Sequence, residues 1–581
     1  MLCGQAVSKF TEDTASLIQV ARGQAPADLL LINGQIVNTF TGEIESGNVA
    51  ILGDRIAGVG DYRQARESWD IEGWFVAPGF IDGHTHLESS LLHPAQYARA
   101  VVPHGTTAVV TDLHEIANVA GLEGIRYMQT WAHRLPLDFY FMVPSCVPTT
   151  WNDLETAGAR LGPMEVKKAL QHRDTLGLGE MMNFPGVLSA DGNVLRKLEA
   201  AQGRVVDGHA PRLSGKDLNA YIAAGIHSDH EATTRKEGVE KLRLGMHLFI
   251  REGSSEKNLE ALVPLVTSKT YKRCSFVVDD RTCLDIFQDG DMDAIIRKAI
   301  KLGLDPVRAI QLATINTAEY FRLERVGAVA PGYVANLIIL QDLYKVKIDS
   351  VLYKGSLVAR GGQPLFAAPP IRKGNIFRTV HVKPFSIDAL AIPASKQNQP
   401  VIEVIPGQIV TRKISVKSRV EDGRVVPDVG RDLLKLVVVE RHKTTGNIGR
   451  GLVKGFGLFS GALATSIAHD SHNIVSVGAT DEDIFIAVKE IERIQGGLVV
   501  TDKGKVLGSL ALPIAGLLST EPVEEVAHDL RELEALAASL GSKVPSPFAT
   551  LSFLALPVIP ELRLTDKGLV DVTGAPRFVN T

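Results

Sequence analysis

The chain has few cysteines, and none of them stands in a Cys-x-x-Cys pair. The four are scattered over 581 residues, at Cys3, Cys146, Cys274 and Cys283. This distribution argues against a disulfide-stapled secreted fold and is typical of a reducing compartment. Residues 1–5 also lack the basic and apolar regions of a signal peptide, so we expect a cytoplasmic protein.

Long hydrophobic runs and an excess of positive charge are missing as well. The most apolar late stretch, residues 506–518, is short and contains Pro513, so we expect no membrane span. A net charge of −4 predicts no basic surface for nucleic acid. With 45% hydrophobic and 22% charged residues, the chain has the composition of a folded protein. Its length predicts about two to four domains.

Short apolar strands separated by turns occur in two distant parts of the chain. Residues 29–32 and 35–38 flank Asn33 and Gly34, a pair that favours a β-hairpin. Similar strands return at residues 335–340, 348–352 and 356–359. Two β-rich flanks predict one small composite β-sandwich domain around a long insertion.

The insertion alternates strands with helical segments, for example at residues 215–224 and 292–302. The predicted strands end at eight residues: His86, Asp112, Pro144, Glu180, His209, His230, Glu252 and Asp279. The spacing is about 28 residues per repeat, close to that of a βαβ unit. We therefore predict an α/β fold with a TIM-like (β/α)8 barrel.

These patterns predict the domain boundaries. Residues 1–77 and 328–370 would form the small β domain, and residues 78–327 would form the metal-dependent barrel. Residues 371–399, rich in Pro, Lys and Asn, suit a connector. Residues 400–581 would form an additional C-terminal α+β domain, since they mix an apolar strand at 436–439 with a helix at 483–494.

The most informative pattern is a pair of histidines at the end of the first barrel strand. His84 and His86 stand two positions apart on extended backbone, so their side chains project to the same side. Neutral imidazoles placed in this way can bind one divalent metal. Barrel enzymes keep their chemistry at the carboxyl ends of their strands.

Later strands end in ligand-type residues too. His209 and His230 could hold a second ion, and the carboxylate of Glu180 could bridge the two. Asp279 could bind one metal and accept a hydrogen bond from the attacking water, with Asp280 as its competitor. We predict a binuclear divalent centre holding Mn or Fe, with Zn as a further possibility.

A second polar cluster follows the second strand. As structure alone, Asp112 could cap a helix, and Glu115 could complete a capping box. As chemistry, Asp112 and His114 could add to the metal site, and Glu115 could act as an acid or base. Glu88 falls on the same alternation as the paired histidines and is a further acid–base candidate.

Far downstream, another group of polar residues reads His469, Asp470, Ser471, His472 and Asn473. A catalytic triad is disfavoured because adjacent residues rarely face one another correctly. A further metal site, a wall of the active site and a self-contained hydrogen-bonded turn all remain open.

With these residues in hand, the chain resembles the amidohydrolase superfamily, whose first-strand signature is similar to residues 78–86. Within it, the chain resembles the bacterial adenine deaminases along almost its whole length. The motifs are residues 84–90, 114–119, 179–183, 228–231, 445–449 and 469–473. The last two lie in a C-terminal region that other amidohydrolases lack. Leu113 departs from the family pattern, which has Pro there.

The resemblance implies hydrolytic deamination of adenine to hypoxanthine and ammonia, in purine salvage. It implies a purine base as substrate, and we expect a homodimer or higher homo-oligomer. Asp279 would move the water proton to the leaving amine, while Glu115 or Glu88 protonates a ring nitrogen. Two alternatives remain. One is a hydrolase that acts on a cyclic amide or on another aminated heterocycle, in which Arg251 or Arg281 would bind an anionic substrate. The other is a barrel protein without catalytic activity.

Overall fold

The computed structural model describes residues 9–149, 154–394, 398–574 and 576–579. Cys3 and the segment 1–5 discussed above lie outside this range. Cys146, Cys274 and Cys283 are buried thiols that form no disulfide with one another. Within the described ranges, no helix combines the length and the apolar character needed to cross a membrane.

Eight parallel strands form a TIM-like barrel. In chain order they are Phe80–Thr85, Thr106–Asp112, Asp138–Val143, Thr175–Met181, Val205–Gly208, Ser228–Asp229, His247–Arg251 and Cys274–Val277. Each strand ends within two residues of its predicted position. The first five pair in sequence, as do the last three. The amide of His227 donates to the carbonyl of Val206 at 3.0 Å, which joins the two groups.

Helices surround this barrel and connect its strands. They comprise Pro94–Val101, His114–Ala132, Pro163–Ala169, Phe184–Leu188, Gly192–Ala200, Gly215–Ala223, Arg235–Arg243, Leu259–Leu262, Cys283–Asp289, Met292–Lys301, Pro306–Leu312 and Ile315–Phe321. The two helices predicted at 215–224 and 292–302 are confirmed to within one residue. Apolar side chains between the helices and the strands belong to a core cluster that continues into the C-terminal region.

The two β-rich flanks meet in one nine-stranded sheet, so this sheet is built from both sides of the insertion, as predicted. Its strands are Ala27–Val37, Ile44–Leu52, Arg55–Gly60, Ala65–Asp70, Phe75–Pro78, Leu337–Asp342, Lys347–Tyr353, Ser356–Arg360 and Gln363–Pro364. A helix at Lys9–Ala21 precedes them. The division into two sandwich layers stays a prediction, as do the domain boundaries.

The predicted hairpin at Asn33 and Gly34 is wrong. Both residues lie inside the continuous strand Ala27–Val37, where the register against Ile44–Leu52 shifts between Leu31 and Gly34. Asn33 has a φ of 59°, a left-handed conformation that asparagine tolerates. The pair therefore makes a bulge rather than a turn, because the strand continues to pair beyond it.

The C-terminal region centres on an eight-stranded sheet. Its strands are Asn398–Val404, Thr411–Lys417, Leu433–Val439, Ile448–Lys454, Ala462–Thr465, Ile474–Gly478, Gly497–Asp502 and Lys505–Ala511. The helices of this region are Asp481–Arg493, Val523–Ser539 and Pro547–Phe553. Two small three-stranded sheets complete the region. One contains Ile392–Pro393, Arg419–Glu421 and Arg424–Val426. The other contains Leu562–Thr565, Gly568–Asp571 and Arg577–Phe578.

This region packs against the carboxyl end of the barrel. The amide of Ser519 donates to the carbonyl of Leu91 at 2.7 Å, and Asn473 donates to the carbonyl of Thr156 at 2.9 Å. Thr156 in turn donates to Asp566 at 2.7 Å. The edge of the barrel that carries the predicted ligands is thereby covered by the C-terminal region.

Candidate active site

Closure of the barrel brings the ligand candidates His84, His86 and Asp279 together. The amide of Asp279 donates to the carbonyl of His84 at 2.9 Å, and the amide of His86 donates to the carbonyl of Asp279 at 3.1 Å. The first and last strands are therefore locked together where these three side chains emerge. Nε2 of His84 and Nε2 of His86 lie 3.5 Å and 3.2 Å from Oδ1 of Asp279.

Glu180 lies between two sets of histidines. Its Oε1 atom is 3.2 Å from Nε2 of His86 and 3.3 Å from Nδ1 of His114. Its Oε2 atom is 2.7 Å from Nδ1 of His209 and 3.3 Å from Nε2 of His230. Burial opposes the charge, but the hydrogen bond with His209 and its neighbours hold the pKa of Glu180 well below its usual value. One carboxylate thus faces both predicted metal positions.

The donor set and its spacing fit divalent metals. Imidazole nitrogens and carboxylate oxygens suit Mn, Fe and Zn. Two ligands of one ion, each about 2.1 Å from it in tetrahedral geometry, lie about 3.4 Å apart. The 3.2–3.5 Å contacts of His84, His86, His230, Glu180 and Asp279 match this spacing. Nε2 of His84 is buried and makes no hydrogen bond within the described residues, as expected of a free ligand atom.

Asp279 and its neighbour Asp280 face different surroundings. Asp279 has a φ of 63°, a strained conformation for a residue other than glycine. Its Oδ1 atom faces the histidines, while Oδ2 accepts a hydrogen bond from Arg251 at 2.8 Å. Asp280 accepts a hydrogen bond from Ser89 and lines the adjoining cavity. Of the two aspartates, only Asp279 joins a histidine group of metal-binding spacing within the described residues.

The capping interpretation of Asp112 is wrong. The N-cap of the helix His114–Ala132 is Leu113, which makes no side-chain cap. Oδ2 of Asp112 instead accepts a hydrogen bond from the amide of Glu180 at 2.9 Å. Asp112 therefore supports the backbone that carries Glu180. His114 contributes Nδ1 toward Glu180 and Nε2 toward Glu115, each at 3.3 Å.

The C-terminal histidines reach this site, so the turn at residues 469–473 is not self-contained. Nδ1 of His469 lies 2.6 Å from Oε1 of Glu115. Nε2 of His472 makes a short hydrogen bond with Oε2 of the same carboxylate. Asp470 accepts a hydrogen bond from Thr149 of the barrel. The structure therefore joins two clusters that are about 350 residues apart in the sequence.

A cavity of about 400 Å³ opens between the barrel and the C-terminal region. The side chains that line it from the barrel include Glu88, Ser89, Glu115 and Asp280. Those from the C-terminal region include His469, His472, Phe548 and Phe553. Burial raises the pKa of Glu88 to about 7, and its Oε1 atom accepts a hydrogen bond from the amide of Ile116 at 3.1 Å. A lining that combines polar groups with aromatic rings suits a small planar heterocycle.

Two charged residues of the site have a role that the sequence did not reveal. The sequence suggests Arg251 as a possible anion binder, but its guanidinium is buried between Glu231 and Asp279. Glu231 also lies 3.5 Å from Nε2 of His230 and 3.6 Å from Nδ1 of His209. In the sequence, Glu231 directly follows the predicted ligand His230, and this position is the one sign that Glu231 belongs to the site. Arg281 donates to the carbonyl of Glu252 at 3.1 Å.

Comparison with known proteins gives matches along the chain. The profile of the amidohydrolase family matches residues 75–358, and that of the adenine deaminase C-terminal domain matches residues 408–575. The adenine deaminase of Dehalococcoides mccartyi is 60% identical over 96% of this chain and 98% of that protein. Adenine deaminase 2 of Carboxydothermus hydrogenoformans is 49% identical over 96% of this chain and 97% of that protein. The adenine deaminase of Halalkalibacterium halodurans is 46% identical over 97% of this chain and 98% of that protein. The chain therefore belongs to the adenine deaminase family of metal-dependent amidohydrolases.

Proposed function

We propose that this protein hydrolyses adenine to hypoxanthine and ammonia. The observation that carries the proposal is the 60% identity to an adenine deaminase, which extends over the barrel and the C-terminal region alike. The cavity fits this reaction because both regions line it, and because the histidine and carboxylate cluster lies beside it. One water is consumed, and the exocyclic C6–N bond of the purine breaks.

The geometry supports a proposal for the residues that would hold the metal centre. His84, His86 and Asp279 would hold one divalent ion, His209 and His230 the other, and Glu180 would lie between them. When bound, the ions would lower the pKa of a water molecule, so that a nucleophile is available near neutral pH. Mn or Fe is our proposal for the metal, with Zn as a further possibility.

The other steps are assigned to side chains of this chain. Asp279 accepts a proton from the attacking water and delivers it to the amino group that leaves C6. Arg251 donates to Oδ2 of Asp279 and thereby orients Oδ1 toward the histidines. Glu115, or alternatively Glu88, supplies a proton to a ring nitrogen, since both carboxyl groups line the cavity. Burial raises the pKa of Glu88 to about 7, so it can carry this proton itself. Burial opposes the charge of Glu115, but the neighbouring histidines hold the pKa of Glu115 well below its usual value, so Glu115 would pass on a proton that it takes from one of them. Transfers of this kind are typically worth about 10²–10⁴-fold in rate.

A hydrolase of cyclic amides with an anionic group is less well supported. Such a substrate needs a cationic side chain that is free to bind it. Arg251 is occupied by Glu231 and Asp279, and Arg281 bonds to the backbone. A non-catalytic barrel is disfavoured by the complete ligand set.

The cellular setting completes the proposal. We place the reaction in purine salvage in the cytoplasm, carried out by a homodimer or a higher homo-oligomer. The scattered thiols favour the reducing compartment.

Substrate assays with the purified full chain test the proposal. Adenine, adenosine, dihydroorotate and another cyclic amide should be incubated separately, with hypoxanthine and ammonia measured independently. We expect adenine alone to give hypoxanthine and ammonia in equal amounts. Ring opening of a cyclic amide, without turnover of adenine, would contradict the proposal.

A further inference from the structure

We propose that His469 and His472 are positioning residues of the active site, which fix the carboxylate of Glu115 from the C-terminal region. The proposal deepens the deamination proposed above and rests on it. It assigns a task to a region outside the barrel: this region orients an acid–base group that belongs to the barrel.

The two histidines contact different oxygen atoms of the Glu115 carboxylate. Nδ1 of His469 approaches Oε1 at 2.6 Å, and Nε2 of His472 binds Oε2. Nε2 of His114 lies 3.3 Å from Oε1. Since each oxygen has its own histidine, the carboxylate plane cannot rotate without breaking a hydrogen bond. Glu115 is only 2% exposed, so water offers little replacement for either partner.

His472 is itself held rigidly. Its amide donates to the carbonyl of Ala468 at 2.6 Å, and its own carbonyl accepts a hydrogen bond from Arg441. Arg441 is fully buried and also donates to the carbonyl of Ala515 at 3.0 Å. The direction of the imidazole is thereby set by the C-terminal core.

His469 is held by different contacts. Its ring stacks on Phe553 with centroids 4.5 Å apart and an interplanar angle of 19°. Its amide donates to the carbonyl of Ser552 at 3.1 Å. The next residue, Asp470, is bound by Thr149 of the barrel. Both domains therefore fix the turn, and an error in its placement would be transmitted to Glu115.

A merely structural interface would not need to line the cavity. His469, His472 and Glu115 all do, together with Asp280. A carboxylate that exchanges protons with a bound purine must keep one orientation through the reaction. Two fixed donors behind it provide that orientation.

Matched amide substitutions test the role. Glutamine places its amide nitrogen where Nε2 of histidine lies, and asparagine places it where Nδ1 lies. His472→Gln and His469→Asn should therefore retain part of the contact, whereas His472→Asn, His472→Leu and His469→Leu should lose it. We expect kcat to fall at least about tenfold in the second group, with partial rescue in the first. KM and bound metal should change little.

Coupling to Glu115 distinguishes positioning from a general loss of stability. Adding His472→Leu to a Glu115→Gln background should cost less than about twofold in kcat, since the group that His472 positions is already disabled. The matched control is His528→Gln on an exposed helical histidine, which should retain the kcat of the unmodified protein. Additive losses, or leucine variants with unchanged kcat, would overturn the proposal.

A readout without turnover separates this proposal from the proposed function. In metal-free full-length protein with 15N-labelled histidines, Glu115→Gln should shift the ring signals of His469 and His472 but not that of His528. Unshifted signals overturn the positioning proposal even if adenine is deaminated. Shifted signals in a protein that does not deaminate adenine would uphold the contact and reject the deamination.

Discussion

The guanidinium of Arg251 donates to Oδ2 of Asp279 at 2.8 Å and leaves Oδ1 facing His84 and His86. Arg251 also binds Glu231, which lies beside His209 and His230. One buried cation thus braces the carboxylates on both sides of the predicted metal centre.

Arg251→Met should therefore weaken both metal affinity and folding. Removing the cation leaves two buried carboxylates without their partner, a change that typically costs about 3–5 kcal/mol. Loss of a residue that orients a metal ligand typically lowers metal affinity about 10–100-fold. Denaturant unfolding and metal titration measure the two effects. Arg243→Met on an exposed helical arginine is the control, and equal behaviour of the two variants would argue against the bracing role.

Asp279→Asn and Asp280→Asn should separate metal binding from catalysis. Oδ1 of Asp279 lies within 3.5 Å of both His84 and His86, so Asp279→Asn should reduce the metal content. Asp280 contacts Ser89 on the cavity side, so Asp280→Asn should retain the metal and mainly alter turnover. Elemental analysis of the two proteins measures the difference. The reverse pattern would exchange the roles of the two residues.

Gly179→Ala should disturb the position of Glu180. A Cβ atom at residue 179 would stand 1.8 Å from Oδ2 of Asp112, the atom that accepts a hydrogen bond from the amide of Glu180. We expect loss of metal and of activity, measured by elemental analysis and turnover. Gly192→Ala meets no atom within 4 Å and should be well tolerated. A fully metallated, active Gly179→Ala protein would show that Asp112 does not support Glu180.

Stability should depend on pH through His104. Burial alone would lower the pKa of His104, but its contact with Asp293, at 3.4 Å, raises the pKa above 6.5. Because the folded state then binds the proton more tightly, the stabilisation is complete below pH 6.5 and is lost as pH rises through the folded pKa. His104→Gln should therefore lower the free energy of unfolding more at pH 6 than at pH 9. An effect that is equal at both pH values would contradict this linkage.

Periodic patterns predicted the barrel well, because most of its strands are rich in apolar residues and several end in or just before polar residues. The ligand-type residues His84, His86, Glu180 and Asp279 could be named for the same reason, since all stand at strand ends. The hairpin at Asn33 failed because a bulge and a turn use the same left-handed conformation.

Long-range contacts were harder to predict. The sequence suggested that His469 and His472 could form a wall of the active site, but it did not identify Glu115 as their partner. The role of Arg251 depends on two carboxylates from other strands, Glu231 and Asp279. Such pairings arise from the closure of the barrel and the docking of the C-terminal region, and local sequence does not encode them.

Metal reconstitution tests the central claim most directly. Protein depleted of metal should be titrated with Mn, Fe or Zn under anaerobic conditions, with hypoxanthine formation from adenine measured at each addition. We predict no turnover without metal and a rise that levels off near about two ions per chain. Full turnover of adenine by metal-free protein, or no hypoxanthine with any of the three ions, would contradict the account.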